Sequence, residues 1–186
     1  WVLRSWRDRR LLSGRGRRLA VDYGLPMSAS SSPPSLTAVV ITRNEAHQIA
    51  ACVAALRFAS HVLIVDSGSE DGTGEAASAA GAEVAVHPFT DYATQRNFGL
   101  ARARTEWLLM IDADERVSPA LATEIRDAIE RAKAQPEVGG FRLLRRNHFM
   151  GRPLTRSGSG KERLVRLMRR DRAKYVNAVH ETPVVE

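Results

Sequence analysis

The stretch Trp107-Leu108-Leu109-Met110-Ile111-Asp112-Ala113-Asp114-Glu115 is an apolar run of strand length that ends in three acids spaced D-x-D-E. A core strand cannot hide such a cluster, because burying carboxylates without partners is costly. These acids must face water, a cation or a ligand. Paired carboxylates at the end of a buried strand suit a hard divalent metal such as Mg²⁺ or Mn²⁺, and that metal suits the phosphates of a nucleotide.

Working outward, the runs Ala38-Val39-Val40-Ile41-Thr42, Val62-Leu63-Ile64-Val65 and Glu83-Val84-Ala85-Val86-His87 predict three earlier strands. The first two are apolar without alternation, as in a strand buried on both faces. Between them, Ala46 to Arg57 predicts a helix with Ile49, Val53 and Leu56 on one side, and Gly74 to Ala80 a second, alanine-rich helix. Ala93 to Arg104 predicts a third, with Gly99 weakening it. Ser118-Pro119 opens a fourth, whose apolar face is Leu121, Ile125 and Ile129. Strands alternating with helices give an α/β domain with a mostly parallel sheet covered on both faces. Such sheets bind ligands beyond the carboxyl ends of their strands. Three strands end there in polar clusters: Arg43-Asn44-Glu45, Asp66-Ser67-Gly68-Ser69 and Asp112-Ala113-Asp114.

After Gly139 the pattern changes. Phe141 to Leu144 and Leu164 to Met168 read as strands among arginines, joined by a glycine- and serine-rich loop from Gly151 to Gly160. The net charge of +7 is unevenly spread: +5 over residues 1–26, −6 over 27–140 and +8 over 141–186. An acidic middle between basic ends is not a uniform nucleic-acid-binding face, though the basic C-terminal part suits phosphates or an anionic membrane surface. No apolar run approaches the roughly 20 residues of a membrane-spanning helix. The single cysteine, Cys52, excludes an intrachain disulfide, fits a reducing cytoplasm and sits in a helical pattern as a small apolar residue.

The chain begins with Trp1, and residues 1–35 read as a disordered or spurious leader. Met27, followed by Ser-Ala-Ser-Ser-Ser-Pro-Pro-Ser, is the expected natural start; an arginine-rich targeting peptide is the alternative. The domain proper is expected over residues 36–186.

Six segments taken in order resemble inverting glycosyltransferases of family 2: V-V-I-T-R-N-E (Val39 to Glu45), V-D-S-G-S-E-D-G-T (Val65 to Thr73), Q-R-N-F-G (Gln95 to Gly99), W-L-L-M-I-D-A-D-E-R-V (Trp107 to Val117), R-L-M-R-R (Arg166 to Arg170) and V-H-E (Val179 to Glu181). The nearest likeness is to the bacterial branch that adds sugars to the lipopolysaccharide inner core. The resemblance implies a GT-A fold, with a Rossmann-like nucleotide-sugar-binding half over 36–138 and the start of an acceptor-binding half over 139–186. It also implies a nucleotide-sugar donor (a UDP-hexose by likeness), a divalent metal (Mg²⁺ or Mn²⁺) and a glycan or glycolipid acceptor. An enzyme of this kind works in the cytoplasm, at the inner face of the plasma membrane where the acceptor is lipid-linked.

By position, the resemblance assigns Glu45 and Asp66 to the base or ribose, with Thr42, Asn44, Ser67 and Gly68 in the same donor-binding set. Arg96 falls near the base or diphosphate, and Asp112 at the ribose or the water shell of the metal. Asp114 ligates the metal, and His180 adds a second metal or diphosphate contact. Glu115 is left as a helper or a cap. Inversion needs a general base for the acceptor hydroxyl; Glu181 and Glu162 are the candidates, with Glu181 preferred. Relatives continue past V-H-E, so a truncated acceptor part is expected. The competing readings are an inactive, truncated nucleotide-binding domain and a Mg²⁺-dependent phosphatase of the haloacid-dehalogenase type. A nucleotidyltransferase would need a glycine-rich loop that Thr42-Arg43-Asn44-Glu45 lacks.

Overall fold

Residues 2–4, 11–13, 35–149, 152–153, 161–177 and 182–185 are described by the computed structural model. Their elements run β1 (Val2–Arg4), β2 (Leu11–Ser13), β3 (Leu36–Thr42), α1 (Ala46–Ala55), β4 (His61–Asp66), α2 (Thr73–Ala79), β5 (Glu83–Val86) and α3 (Tyr92–Arg102). They continue with β6 (Trp107–Asp112), β7 (Arg116–Val117), α4 (Pro119–Ala132), β8 (Val138–Arg146), β9 (His148–Phe149), β10 (Arg152–Pro153), β11 (Lys161–Arg169), β12 (Ala173–Val176) and β13 (Thr182–Val185).

The expected α/β architecture is present. β5, β4, β3 and β6 lie side by side and pair in parallel. Beyond β6 the sheet turns antiparallel: β11 inserts between β6 and β8. β1 and β2, from the stretch read as a leader, pair along β8. β9 with β10 and β12 with β13 form two separate ribbons.

β6 shows why its residues make a central strand. Trp107, Leu109 and Ile111 enter a core shared with α1, α2 and α4, while Leu108 and Met110 enter a second core against α3 and β12. Successive side chains alternate between the faces, so a strand covered on both sides must be apolar throughout. Trp107 is buried, as its place at the head of the strand implies, with its ring 5.6 Å from that of Phe141. Cys52 is packed inside α1, and burial pushes its thiol up to about 11. α4 starts as read: Pro119 follows Ser118, whose hydroxyl accepts the Leu121 N–H at 3.2 Å.

Gly99 lies in the middle of α3 because the helix is pressed onto the sheet there. A Cβ at this position would collide with Val39 Cγ1 and come within 3.2 Å of Val65 Cγ2. The residue that weakens the helix locally is what lets it pack closely.

Candidate active site

The parallel register carries the three polar strand ends to one edge of the sheet. Thr42 pairs with Asp66 across β3 and β4, and Ile41 with Asp112 across β3 and β6. Over this edge opens a cleft of about 550 Å³, walled by Thr42, Arg43 and Glu45 from the β3 end. Ser67 and the segment Asp112 to Asp114 complete its floor, and Phe89, Tyr92, Gln95 and Arg96 close the α3 side.

The loops are stapled to one another. Asn44, at φ +55°, donates its N–H to Ser69 Oγ at 2.8 Å and accepts the Glu70 N–H at 3.0 Å. The Glu45 N–H reaches Thr73 Oγ1 at 2.8 Å, and the Ala46 N–H reaches Asp71 Oδ2 at 3.0 Å. Asp66 is buried and accepts both the N–H and the hydroxyl of Ser69, at 3.0 and 2.6 Å. Gly68, at φ +83°, makes the turn between them. Asn44, Asp66 and Gly68 therefore shape the loops behind the cleft, while Thr42, Glu45 and Ser67 line it. Gln95, not singled out by the sequence, holds this wall together. Its amide donates to Ser67 Oγ at 2.8 Å and to the His87 carbonyl at 2.9 Å, and its Oε1 meets His87 Nδ1 at 2.6 Å.

Asp112 sits between two guanidiniums. Arg96 Nη2 reaches its Oδ1 at 2.8 Å, and Arg166 Nη2, from β11, reaches its Oδ2 at 2.7 Å. Burial by itself would raise this carboxyl, but Arg166 and then Arg96 hold it well below the usual carboxylate range. The same Arg166 nitrogen lies 2.9 Å from Glu115 Oε1, and Glu115 Oε2 accepts the Asp112 N–H at 3.1 Å. Glu115 is thus a cap, as read, but a buried one. Burial pushes its carboxyl up against the pull of Arg166. Arg166 was visible only as part of R-L-M-R-R. No local signal marks which arginine of that run turns inward.

Asp114 stands half-buried at the cleft, beyond the turn that Arg116 pins through the carbonyls of Ala113 and Glu115, both at 2.8 Å. Both Asp112 oxygens are engaged by arginine, and no group of three or more His, Cys, Asp or Glu side chains is placed to hold a metal among the described residues. These residues offer a divalent cation a carboxylate at Asp114 but not a complete ligand set. Glu162 is exposed and paired with Arg145 at 2.6 Å, away from the cleft lining. His180 and Glu181 lie outside the described residues.

The sequence model for "Glycosyl transferase family 2" matches residues 37–143, the strands and helices that build this cleft. The chain belongs to glycosyl transferase family 2. It is 33% identical over 158 residues to the "Lipopolysaccharide core biosynthesis glycosyltransferase LpsC" of Rhizobium meliloti (strain 1021), a match covering 81% of this chain and 57% of that protein. An "Uncharacterized glycosyltransferase" of Rickettsia bellii (strain RML369-C) is 38% identical over 91 residues, covering 48% of this chain and 31% of that protein. Both matches span less than two thirds of the relative's own length. Among solved structures, mannosyl-3-phosphoglycerate synthase from Rubrobacter xylanophilus overlaps 42% of this chain and 30% of its own, at 26% identity and a TM-score of 0.40. That overlap is too loose to add to the family match. Membership of family 2 leaves the phosphatase reading without support, and a doubly ion-paired Asp112 is a poor nucleophile.

Proposed function

We propose that this domain binds the nucleotide-sugar donor, a UDP-hexose, of an inverting glycosyltransferase whose acceptor is the lipopolysaccharide core or another cell-envelope glycan. The observation that carries the reading is the meeting of three polar strand ends at one cleft, in a chain of this family. Thr42, Glu45 and Ser67 are the donor contacts on the β3 and β4 side. Arg96 sets Asp112, and Asp114 with His180 would hold a divalent metal. When bound, such a metal supplies positive charge to the departing diphosphate. Glu181 is the proposed general base. Glu162 is the weaker candidate, because its carboxylate already answers Arg145.

Work at the cytoplasmic face of the plasma membrane belongs to the same proposal, supported by the basic excess after residue 140. No helix among the described residues is long and apolar enough to cross a membrane. Thermal unfolding in the presence of UDP and Mn²⁺ tests the donor reading. A metal-dependent rise in Tm is expected, and Asp114→Ala should abolish it. No rise with any nucleoside diphosphate would overturn it.

A further inference from the structure

An arginine that sets an acid must itself be held. The Arg96 guanidinium ends a long side chain with much rotamer freedom, and it reaches the Asp112 carboxylate at 2.8 Å. It also lies over a ring: Arg96 Cζ is 5.5 Å from the centroid of Tyr175. A cation over an aromatic face is attracted by the ring, more strongly where water is excluded. Here both partners are buried, Arg96 at 4% exposed and Tyr175 at 3%. Tyr175 packs in the core with Leu108, Met110 and Leu100 and does not line the cleft. Any effect it has on a ligand there runs through another side chain.

Tyr175 is clamped in turn. It belongs to β12, in the ribbon with β13 that stands apart from the main sheet. Its partner across the ribbon is Pro183, which has no N–H to give. Asn97, the residue after Arg96 on α3, answers both main-chain groups instead. Its Nδ2 donates to the Tyr175 carbonyl and its Oδ1 accepts the Tyr175 N–H, each at 2.9 Å. Asparagine is a poorer helix former than alanine because its amide competes for main-chain groups. In α3 that amide is used on a residue 78 positions away. Two neighbouring helix residues thus address one tyrosine: Asn97 fixes its main chain, and Arg96 takes its ring.

We propose that Tyr175, clamped by Asn97, is a positioning residue of the donor site: its ring keeps the Arg96 guanidinium against Asp112 at the wall of the cleft. This role rests on the donor-site reading and deepens it. The ribbon β12–β13 puts no described residue into the cleft lining, yet it holds an arginine of that lining in place. A guanidinium placed beforehand gives up less freedom when an anionic ligand arrives, so affinity is gained without a new contact.

Calorimetric titration of the 186-residue chain with UDP in the presence of Mn²⁺, beside urea unfolding of each variant, tests it. Tyr175→Leu keeps an apolar side chain in the core but removes the ring; it is expected to weaken UDP by roughly two- to thirty-fold, the size of one cation–π contact. Tyr175→Phe keeps the ring and should bind UDP as the wild type does. Asn97→Ala leaves the ring and Arg96 in the chain but frees β12, and should weaken UDP in the same direction. In an Arg96→Gln background, Tyr175→Leu should cost UDP affinity nothing more, whereas a ring that only supports the fold would weaken both backgrounds alike. Nuclear magnetic resonance reads the contact itself: the Arg96 side-chain N–H is expected upfield in the wild type and in Tyr175→Phe, under the ring current of residue 175. Should the leucine variant fail to fold, Asn97→Ala and this ring shift decide. Unchanged UDP affinity in Asn97→Ala, equal losses in the two backgrounds, or no ring shift at Arg96 would overturn the positioning role while leaving the donor site standing. A wild-type chain that binds no nucleoside diphosphate would overturn the donor site and the role with it.

Discussion

Asp112 meets two guanidiniums at once, and this sets how the protein answers acid. A carboxyl held low by folding adds stability above its unfolded pKa of about 3.9, and that contribution is lost as pH falls through the folded value. Asp112 is such a group. Glu115 runs the other way: burial raises it, so stability falls as pH rises from its unfolded value of about 4.3 through the folded value, and stays lowered above that. Asp112→Asn should therefore flatten the loss of stability below about pH 4, followed by denaturant unfolding from pH 6 to pH 2. A variant whose acid limb is as steep as that of the wild type would sink the ion-pair account. The sequence sends the acids of D-x-D-E to water, a cation or a ligand, because bare burial is costly; the structure instead buries Glu115 and answers Asp112 with two arginines of the same chain. The sequence did not show that the partners are Arg96 and Arg166, because they lie 16 and 54 residues away along the chain.

At the scale of the element, α3 illustrates how local preference and packing disagree. Helix propensity alone favours alanine at Gly99 by about 1 kcal/mol. The crowding against Val39 and Val65 acts against it, and overpacking costs about 1–3 kcal/mol. Gly99→Ala is expected to lower the unfolding free energy by up to about 2 kcal/mol, the overpacking cost less the propensity gain, measured in urea; a stabilised variant would contradict the packing. The parallel strands and their helices were legible because buried apolar runs and helical periodicity are local signals. The apolar runs Phe141 to Leu144 and Leu164 to Met168 mark only the middles of β8 and β11, which extend over Val138–Arg146 and Lys161–Arg169. The change of pattern after Gly139 falls inside β8, where Gly139 and Gly140 are both buried and a Cβ on Gly140 would come within 2.9 Å of the Leu167 carbonyl. The arginines flanking both strands obscured their alternation.

Across the whole molecule, Arg166 is the side chain through which the antiparallel part of the sheet touches the cleft. It leaves β11, is buried, and binds Asp112 and Glu115 together. Removing one member of a buried charge cluster strands the others, at about 3–5 kcal/mol. Arg166→Met should lose stability on that scale in denaturant unfolding, and adding Glu115→Gln should restore part of it; a loss under about 1 kcal/mol would show the cluster to be idle. By itself the sequence determined the parallel α/β core, the three polar strand ends and the family, because each is written in short runs whose burial pattern or motif is local. Only the tertiary structure decided that β11 enters between β6 and β8. The same folding turns Arg166 rather than its neighbours inward, and places Phe89 and Tyr92 at the mouth of the cleft. Those outcomes depend on contacts between distant segments, which no local pattern encodes.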